Sequence, residues 1–391
     1  MLYEDKIGHK NNFDFTRFLL AMLVVFTHGY FVYFGPQTAL DREPLWQLTR
    51  HQLAFGTLAV NFFFVISGFL VLQSLGRSKT YFDYLFKRVL RIYPAFVVAI
   101  LLCALVVAPL GNGSVLHPFQ NFSDYWSEIN LKQLVKTCLF LKDDLYALPP
   151  TFQNNPAPLD LNTSVWTISF EFMCYLVLLG LGILGAFKTH KLVPLGLFLT
   201  ILFLNCLHFD VYNHYNLTGE LQKDAIPFFP AHDFEDFLNM EHLLLFFMAG
   251  TCFYSYRNYI PRSRYLLLLS AAAVAGSIYW GKGFEIVQSI FGSYLLFYFI
   301  FSNRIRLHRF ARYGDLSYGI YLFGWPVQQL VILYIGKEIS FPVSLLLTTV
   351  FLLPVAFASW HLVEKPALSL KKKSFFVPLV SKLKLSISRY L

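Results

Sequence analysis

FDFTRFLLAMLVVFTHGYFVYF, residues 13–34, is the stretch on which the fold turns. At 1.5 Å per residue its length gives a helix of roughly 33 Å, enough to cross the hydrocarbon of a bilayer. The run nevertheless carries Arg17 and His28. An ionisable side chain at membrane depth is costly unless it is paired or lines a wet cavity, so two in one span point to function. At 100° per residue their spacing places them within about 20° of one helix face and roughly 16 Å apart along the axis. Two plainer readings compete: an Arg17 that snorkels to the interface and a His28 bonded to a neighbouring carbonyl.

The remainder of the chain agrees with the membrane reading. Of 391 residues, 56% are hydrophobic and 18% aromatic, while only 14% are charged, against about 25% in a soluble domain. Apolar runs bounded by charge, Pro and Gly predict an all-α, polytopic protein of about ten transmembrane helices, near 13–34, 53–75, 92–110, 165–186, 192–208, 241–257, 265–280, 284–301, 314–335 and 341–362. The first run has no small-residue cleavage site after a short apolar core and is expected to stay as an anchor. Residues 1–370 form one membrane domain on this reading, and 371–391 a basic, amphipathic cytoplasmic tail. The five cysteines contain no C-x-x-C pair, and no metal site is expected.

Charge chooses the orientation. With the N-terminus inside, twenty-three of the 32 Lys and Arg residues fall on inner segments and eight on outer ones, with Arg17 in the first helix. The positive-inside rule therefore predicts N-in and C-in. The formal charge of +9 is spread over every inner loop, which argues for a bilayer with anionic headgroups and against nucleic acid. Two long outer loops, 111–164 and 209–240, mix Asn, Asp, Tyr, Phe, Trp and Pro. That composition suits sugar recognition and equally suits packed loops capping a bundle.

Further polar residues stand within apolar surroundings. In FKRVLRIYPAF, Arg88 and Arg91 are at i, i+3 with Lys87 beside them, a pattern that holds phosphate on one helix face or merely anchors an inner loop. NFFFVISGFL places Ser67 and Gly68 in the second helix, where small residues permit close helix approach. SVWTISFEFMCYL buries Glu171 behind Trp166 in the fourth. That carboxylate is a candidate to orient His28 or hold a sugar hydroxyl, or it belongs to an internal salt bridge. Nearer the C-terminus, LSYGIYLFGWP supplies Ser317, Tyr318, Tyr321 and Trp325, and SWHLVEKPAL supplies His361 and Glu364.

Taken in order, these motifs resemble the acyltransferase family 3 of multi-pass membrane O-acyltransferases that modify surface glycans. The likeness runs from FDFTRFLLAMLVVFTHGY through VNFFFVISGFL, FKRVLRIYPAF, SVWTISFEFMCYL and LSYGIYLFGWP to VEKPAL. It implies a ten-helix bundle that passes an acyl group, usually acetyl, from cytosolic acetyl-CoA to a sugar hydroxyl on the outer side. The expected acceptors are lipopolysaccharide O-antigen, capsule or exopolysaccharide, at a bacterial inner membrane. By the same likeness Arg17 and His28 match the essential pair of the first helix, Arg88 and Arg91 the arginine pair, Ser67 with Gly68 the S-G-F segment, and Glu171 the fourth-helix acid. The expected roles are His28 and Glu171 in catalysis, Arg17, Arg88, Arg91 and Lys87 on the CoA phosphates, and Ser67, Gly68, Trp166, Ser317, Tyr318, Tyr321 and Trp325 as substrate or structural support. Many relatives read Y-L-W-H-W-P in the ninth helix where this chain has YLFGWP, so Gly324 replaces a histidine and His361 is a candidate substitute. Direct attack and an acyl-histidine relay stay open, as does a rival of another class, a glycan or lipid-linked-sugar flippase. Repeats with matching broken helices, common in transporters, are not seen.

Overall fold

The computed structural model describes residues 11–112, 122–142, 148–189, 192–218, 231–302, 304–336 and 338–372. Among the described residues every regular element is helical. In chain order the apolar helices are α1 (Phe13–Phe34), α2 (Phe55–Arg77), α3 (Tyr81–Gly111), α4 (Thr163–Ile183), α5 (Leu192–His208), α6 (Glu235–Ser255), α7 (Arg264–Trp280), α8 (Phe284–Ile300), α9 (Ser317–Ile335) and α10 (Phe341–Ser369). Seven of them are long and apolar enough to cross a membrane; α5, α7 and α8 are shorter. The protein is thus a helical, multi-pass membrane protein. Exposed Leu199, Phe203 and Leu207 on α5, and Leu346 and Val350 on α10, recur at i, i+4 and form lipid-facing stripes.

The third helix begins at Tyr81, eleven residues before the expected start at 92. Thr80 caps it by accepting from the Asp83 amide, and the charged turns carrying Lys87, Arg88 and Arg91 run unbroken past Pro94 into the apolar segment. Hydropathy places the boundary at the last charge; the backbone hydrogen bonds do not stop there.

Close packing sets the centre of the bundle. A Cβ on Gly68 of α2 would lie 1.9 Å from the Phe247 carbonyl oxygen of α6, and one on Gly250 of α6 would lie 1.9 Å from that of Val65. Two glycines thus let α2 and α6 touch backbone to backbone, the close approach small residues allow in membranes. At the other face of α2 lies α1, whose start is fixed by Asn12: its buried amide donates to the carbonyls of Phe299 and Ile305 and accepts from the Leu307 amide. At the far end of α1, the fully buried Glu43 caps the short helix Pro44–Leu48 through the Trp46 amide, accepts from the Phe55 amide and receives Thr27 Oγ1 at 3.3 Å.

Pro326 inside α9 removes the N–H that would bond to the Leu322 carbonyl. Asn162 Nδ2 donates to that oxygen at 2.9 Å. The same connection, residues 148–162, is fastened along α9 by Trp325 Nε1 and Gln329 Nε2, both donating to the Asp160 carbonyl at 2.9 Å. This portion of the first long outer loop is therefore a strap satisfying a broken helix. Of the second, residues 219–230 lie outside the described residues, as does the tail from 373 onward.

Candidate active site

One end of the bundle is strongly basic, and a cavity of about 330 Å³ rises from it. Its walls come from α1, α2, α3, α4, α9 and the end of α10, with Arg17, Ser67, Arg88, Arg91, Glu171 and Tyr321 among the residues that line it. The structure thus brings together, from five helices, most of the polar residues singled out in the sequence.

The basic residues are not equivalent. Asp315, just before α9, accepts from Arg17 Nη1 at 2.8 Å and from Arg91 Nη2 at 3.2 Å through the same oxygen. Its other oxygen accepts from Ser317 Oγ at 2.6 Å. Arg91 also lies 3.8 Å from Glu364 and over the Tyr318 ring, whose hydroxyl donates to the Ile92 carbonyl. Arg17 and Arg91 are therefore held as a structural pair across α1, α3 and α9. Lys87 pairs with Asp83 at 2.7 Å, one turn back on its own helix, and is not among the residues that line the cavity. Arg88 differs. It donates to Ser74 Oγ at 3.2 Å, stacks over Tyr175 and keeps a buried Nε that has no partner among the described residues.

Deeper in, Glu171 accepts from Ser67 Oγ at 3.1 Å and from the Tyr175 hydroxyl. Ser67 is thus a ligand of the carboxylate, while Gly68, next to it, serves the α2 and α6 contact. Above these, the hydroxyls of Thr167 and Tyr321 are 2.5 Å apart and close the upper end of the cavity.

His28 stands beyond that bar. Its Nδ1 lies 3.4 Å from Ser164 Oγ, and its ring meets Trp325 edge to face with centroids 5.0 Å apart. Ser164 precedes Thr167 by three residues and Trp325 follows Tyr321 by four, so these contacts sit about one helical turn, roughly 5 Å, past the cavity's end. Glu171 is seven residues from Ser164, about 10 Å back along the helix. The hydrogen-bond partner of His28 is Ser164, while Glu171 is bonded to Ser67 and Tyr175. Trp166 packs against the core and edge-on to Phe170. The replacement at Gly324 has a steric reason, since a Cβ there would come within 2.7 Å of Val25 Cγ2 on α1. His361 bonds the Tyr313 carbonyl at 2.9 Å, just before α9 starts, whereas Gly324 and Trp325 lie midway along that helix.

Residues 10–361 match the family described as the acyltransferase domain. The chain belongs to the acyltransferase-3 family. It is 28% identical over 367 residues to a protein of Shigella phage Sf6 named O-acetyl transferase, covering 91% of this chain and 96% of that protein. It is 25% identical over 393 residues to Nodulation protein 10 of Rhizobium leguminosarum bv. viciae, covering 94% and 96%. No solved structure matches the chain.

Of four further residues that place this acyltransferase's site, three gave no local signal in the sequence. Asp315 is nearly three hundred residues from Arg17, Ser164 is one hydroxyl in a polar segment, and Thr167 resembles any small residue of an apolar run. Lys371 belongs to the triple lysine after α10, yet it lines the cavity together with Leu368 and Trp360. The expected boundary at 370 falls just before Lys371. Only Asp315 carries a clue, since Asp before Ser is a common start to a helix.

Proposed function

We propose that this membrane acyltransferase transfers an acyl group, acetyl in the first instance, from acyl-CoA at the basic mouth to a hydroxyl of an envelope glycan at the opposite end. One observation carries the reading: a single cavity leads from the cationic mouth to within a helical turn of His28. The relative named O-acetyl transferase supports the acyl group and the oxygen acceptor, and the distribution of Lys and Arg supports a cytoplasmic mouth in a bacterial inner membrane, N-in and C-in across ten spans.

The chemistry follows from the positions. Phosphates of the donor fit Arg88, whose Nε lacks a partner, and the pantetheine arm runs past Tyr318 and Glu171 toward Tyr321. With Nδ1 engaged by Ser164, the other ring nitrogen of His28 is the group to take a proton from the acceptor hydroxyl. The hydroxyl oxygen attacks the thioester carbonyl, the C–S bond breaks, and the imidazolium returns its proton to the departing thiolate. Ester and free CoA are the products, and no net proton is consumed. Glu171, bonded to Ser67 and Tyr175, positions the channel wall.

The test is acetyl transfer in proteoliposomes containing acetyl-CoA on one side and a bacterial surface polysaccharide on the other, read by mass spectrometry of the glycan. His28→Ala is expected to lower the rate by about 10²-fold or more at unchanged protein level. An unchanged rate overturns the role of His28, and acetylation from the side opposite the basic mouth overturns the direction. A stable acetyl adduct on the wild-type protein without acceptor replaces direct attack by a relay.

A further inference from the structure

The family match ends at residue 361, but the wall of the cavity does not. The π-helical turn Trp360–Glu364 and the helical turns after it continue α10 and pack against α3. Leu368 and Lys371 thereby line the same cavity as Arg88.

From this we infer that Lys371 and Arg88 together form the phosphate clamp of the donor site, so that a segment beyond the family-matched region completes it. The inference deepens the acyl-CoA reading and rests on it. Four cations line the cavity: Arg17, Arg88, Arg91 and Lys371. Two are already committed, because Asp315 lies between Arg17 and Arg91, and Glu364 draws on Arg91 as well. Among the described residues neither Arg88 nor Lys371 has a carboxylate partner. Two uncompensated cations from separate segments lining one cavity suit a phosphate group, and without an anion they repel each other. The electrostatics agree: burial, with Arg88, Arg91 and Lys87 close by, holds the Lys371 ammonium down to about 8. The carboxylates of the same cavity, Asp315 and Glu171, are bound to Arg17 and Arg91 and to Ser67 and Tyr175 respectively.

An anion binds the charged form of Lys371. The contribution to affinity is therefore complete well below pH 8 and is lost as pH rises above it. The experiment is calorimetric titration of acetyl-CoA into the full-length protein in phosphatidylcholine nanodiscs, from pH 6.5 to 9.5. Lys371→Gln is expected to weaken binding about tenfold at pH 7, and its affinity stays level where the wild type's declines. Lys371→Arg is expected to keep the wild-type affinity and abolish the decline, which shows that charge and not fold is at stake. Equal affinity in wild type and Lys371→Gln, or the same decline in both, overturns the clamp while leaving the donor intact. No binding of acetyl-CoA to the wild type overturns the donor reading and the clamp with it. A loss in Lys371→Gln seen only in nanodiscs containing phosphatidylglycerol assigns Lys371 to a lipid headgroup, which also overturns it.

Discussion

The hydroxyls of Thr167 and Tyr321, 2.5 Å apart, stand between the cavity and His28. One belongs to α4 and the other to α9, so on the proposed route an acyl group reaches the imidazole only when this hydrogen bond opens. The bond is well placed to keep water and a waiting thioester from meeting until an acceptor arrives.

Removing either hydroxyl tests that idea with little change of shape. Tyr321→Phe is expected to retain fold and donor binding but to raise acetyl-CoA hydrolysis without glycan about fivefold, the worth of one hydrogen bond of about 1 kcal/mol. Free thiol release measures it. A rate equal to wild type in both Tyr321→Phe and Thr167→Val removes the bar from the mechanism.

Asp315 makes a different prediction, because it serves two arginines. Asp315→Asn removes the carboxylate between Arg17 and Arg91, leaving only Glu364 at 3.8 Å from Arg91, and is expected to destabilise the protein by about 3 kcal/mol. Thermal unfolding in detergent, followed by tryptophan fluorescence, reads the loss. Adding Arg17→Gln to Asp315→Asn is expected to restore some of it, since one charge then replaces two; a further drop instead means that the arginines are held by other partners.

Gly324 invites an experiment in restoration. If the histidine of many relatives were merely absent, Gly324→His would be tolerated. The 2.7 Å approach of a Cβ to Val25 predicts the reverse: folded yield falls, with a cost of about 1 to 3 kcal/mol for overpacking. Val25→Ala combined with Gly324→His is expected to recover monodisperse protein by size-exclusion chromatography. Equal yield of the single variant and wild type contradicts the steric account.

Gly68→Ala, like Gly250→Ala across the same contact, is expected to be severely damaging. The added carbon must displace a backbone carbonyl 1.9 Å away, which has no rotamer to escape into. Loss of most folded protein is the expected result, whereas Gly196→Ala on α5, where a Cβ meets nothing within 4 Å, is expected to behave as wild type.

These contrasts mark what sequence patterns can carry. Arg88 and Arg91 are legible because helical spacing is local, and Arg17 with His28 because charge in an apolar run is conspicuous. Which arginine is free is not legible: that depends on Asp315, whose position opposite Arg17 is set by how α9 packs on α1. Glu171 is legible as a carboxylate inside the bundle, but its partners are not, since α4 offers several hydroxyl-bearing positions and only the packing of α1 brings Ser164 to His28. The start of α3 escapes hydropathy because hydropathy sees charge, while a helix continues wherever its amides are bonded.

The contact between α2 and α6 has a mechanical consequence. One side of α2 is locked to α6 at backbone distance by Gly68 and Gly250, and the other presents Phe63, Ser67 and Leu70 to the cavity. Helices meshed so closely cannot slide without colliding. This wall therefore acts as a stator, and any opening that admits an acyl chain to His28 falls to α4 and α9, which are joined across the passage by side-chain hydroxyls and by a strap laid over a proline break.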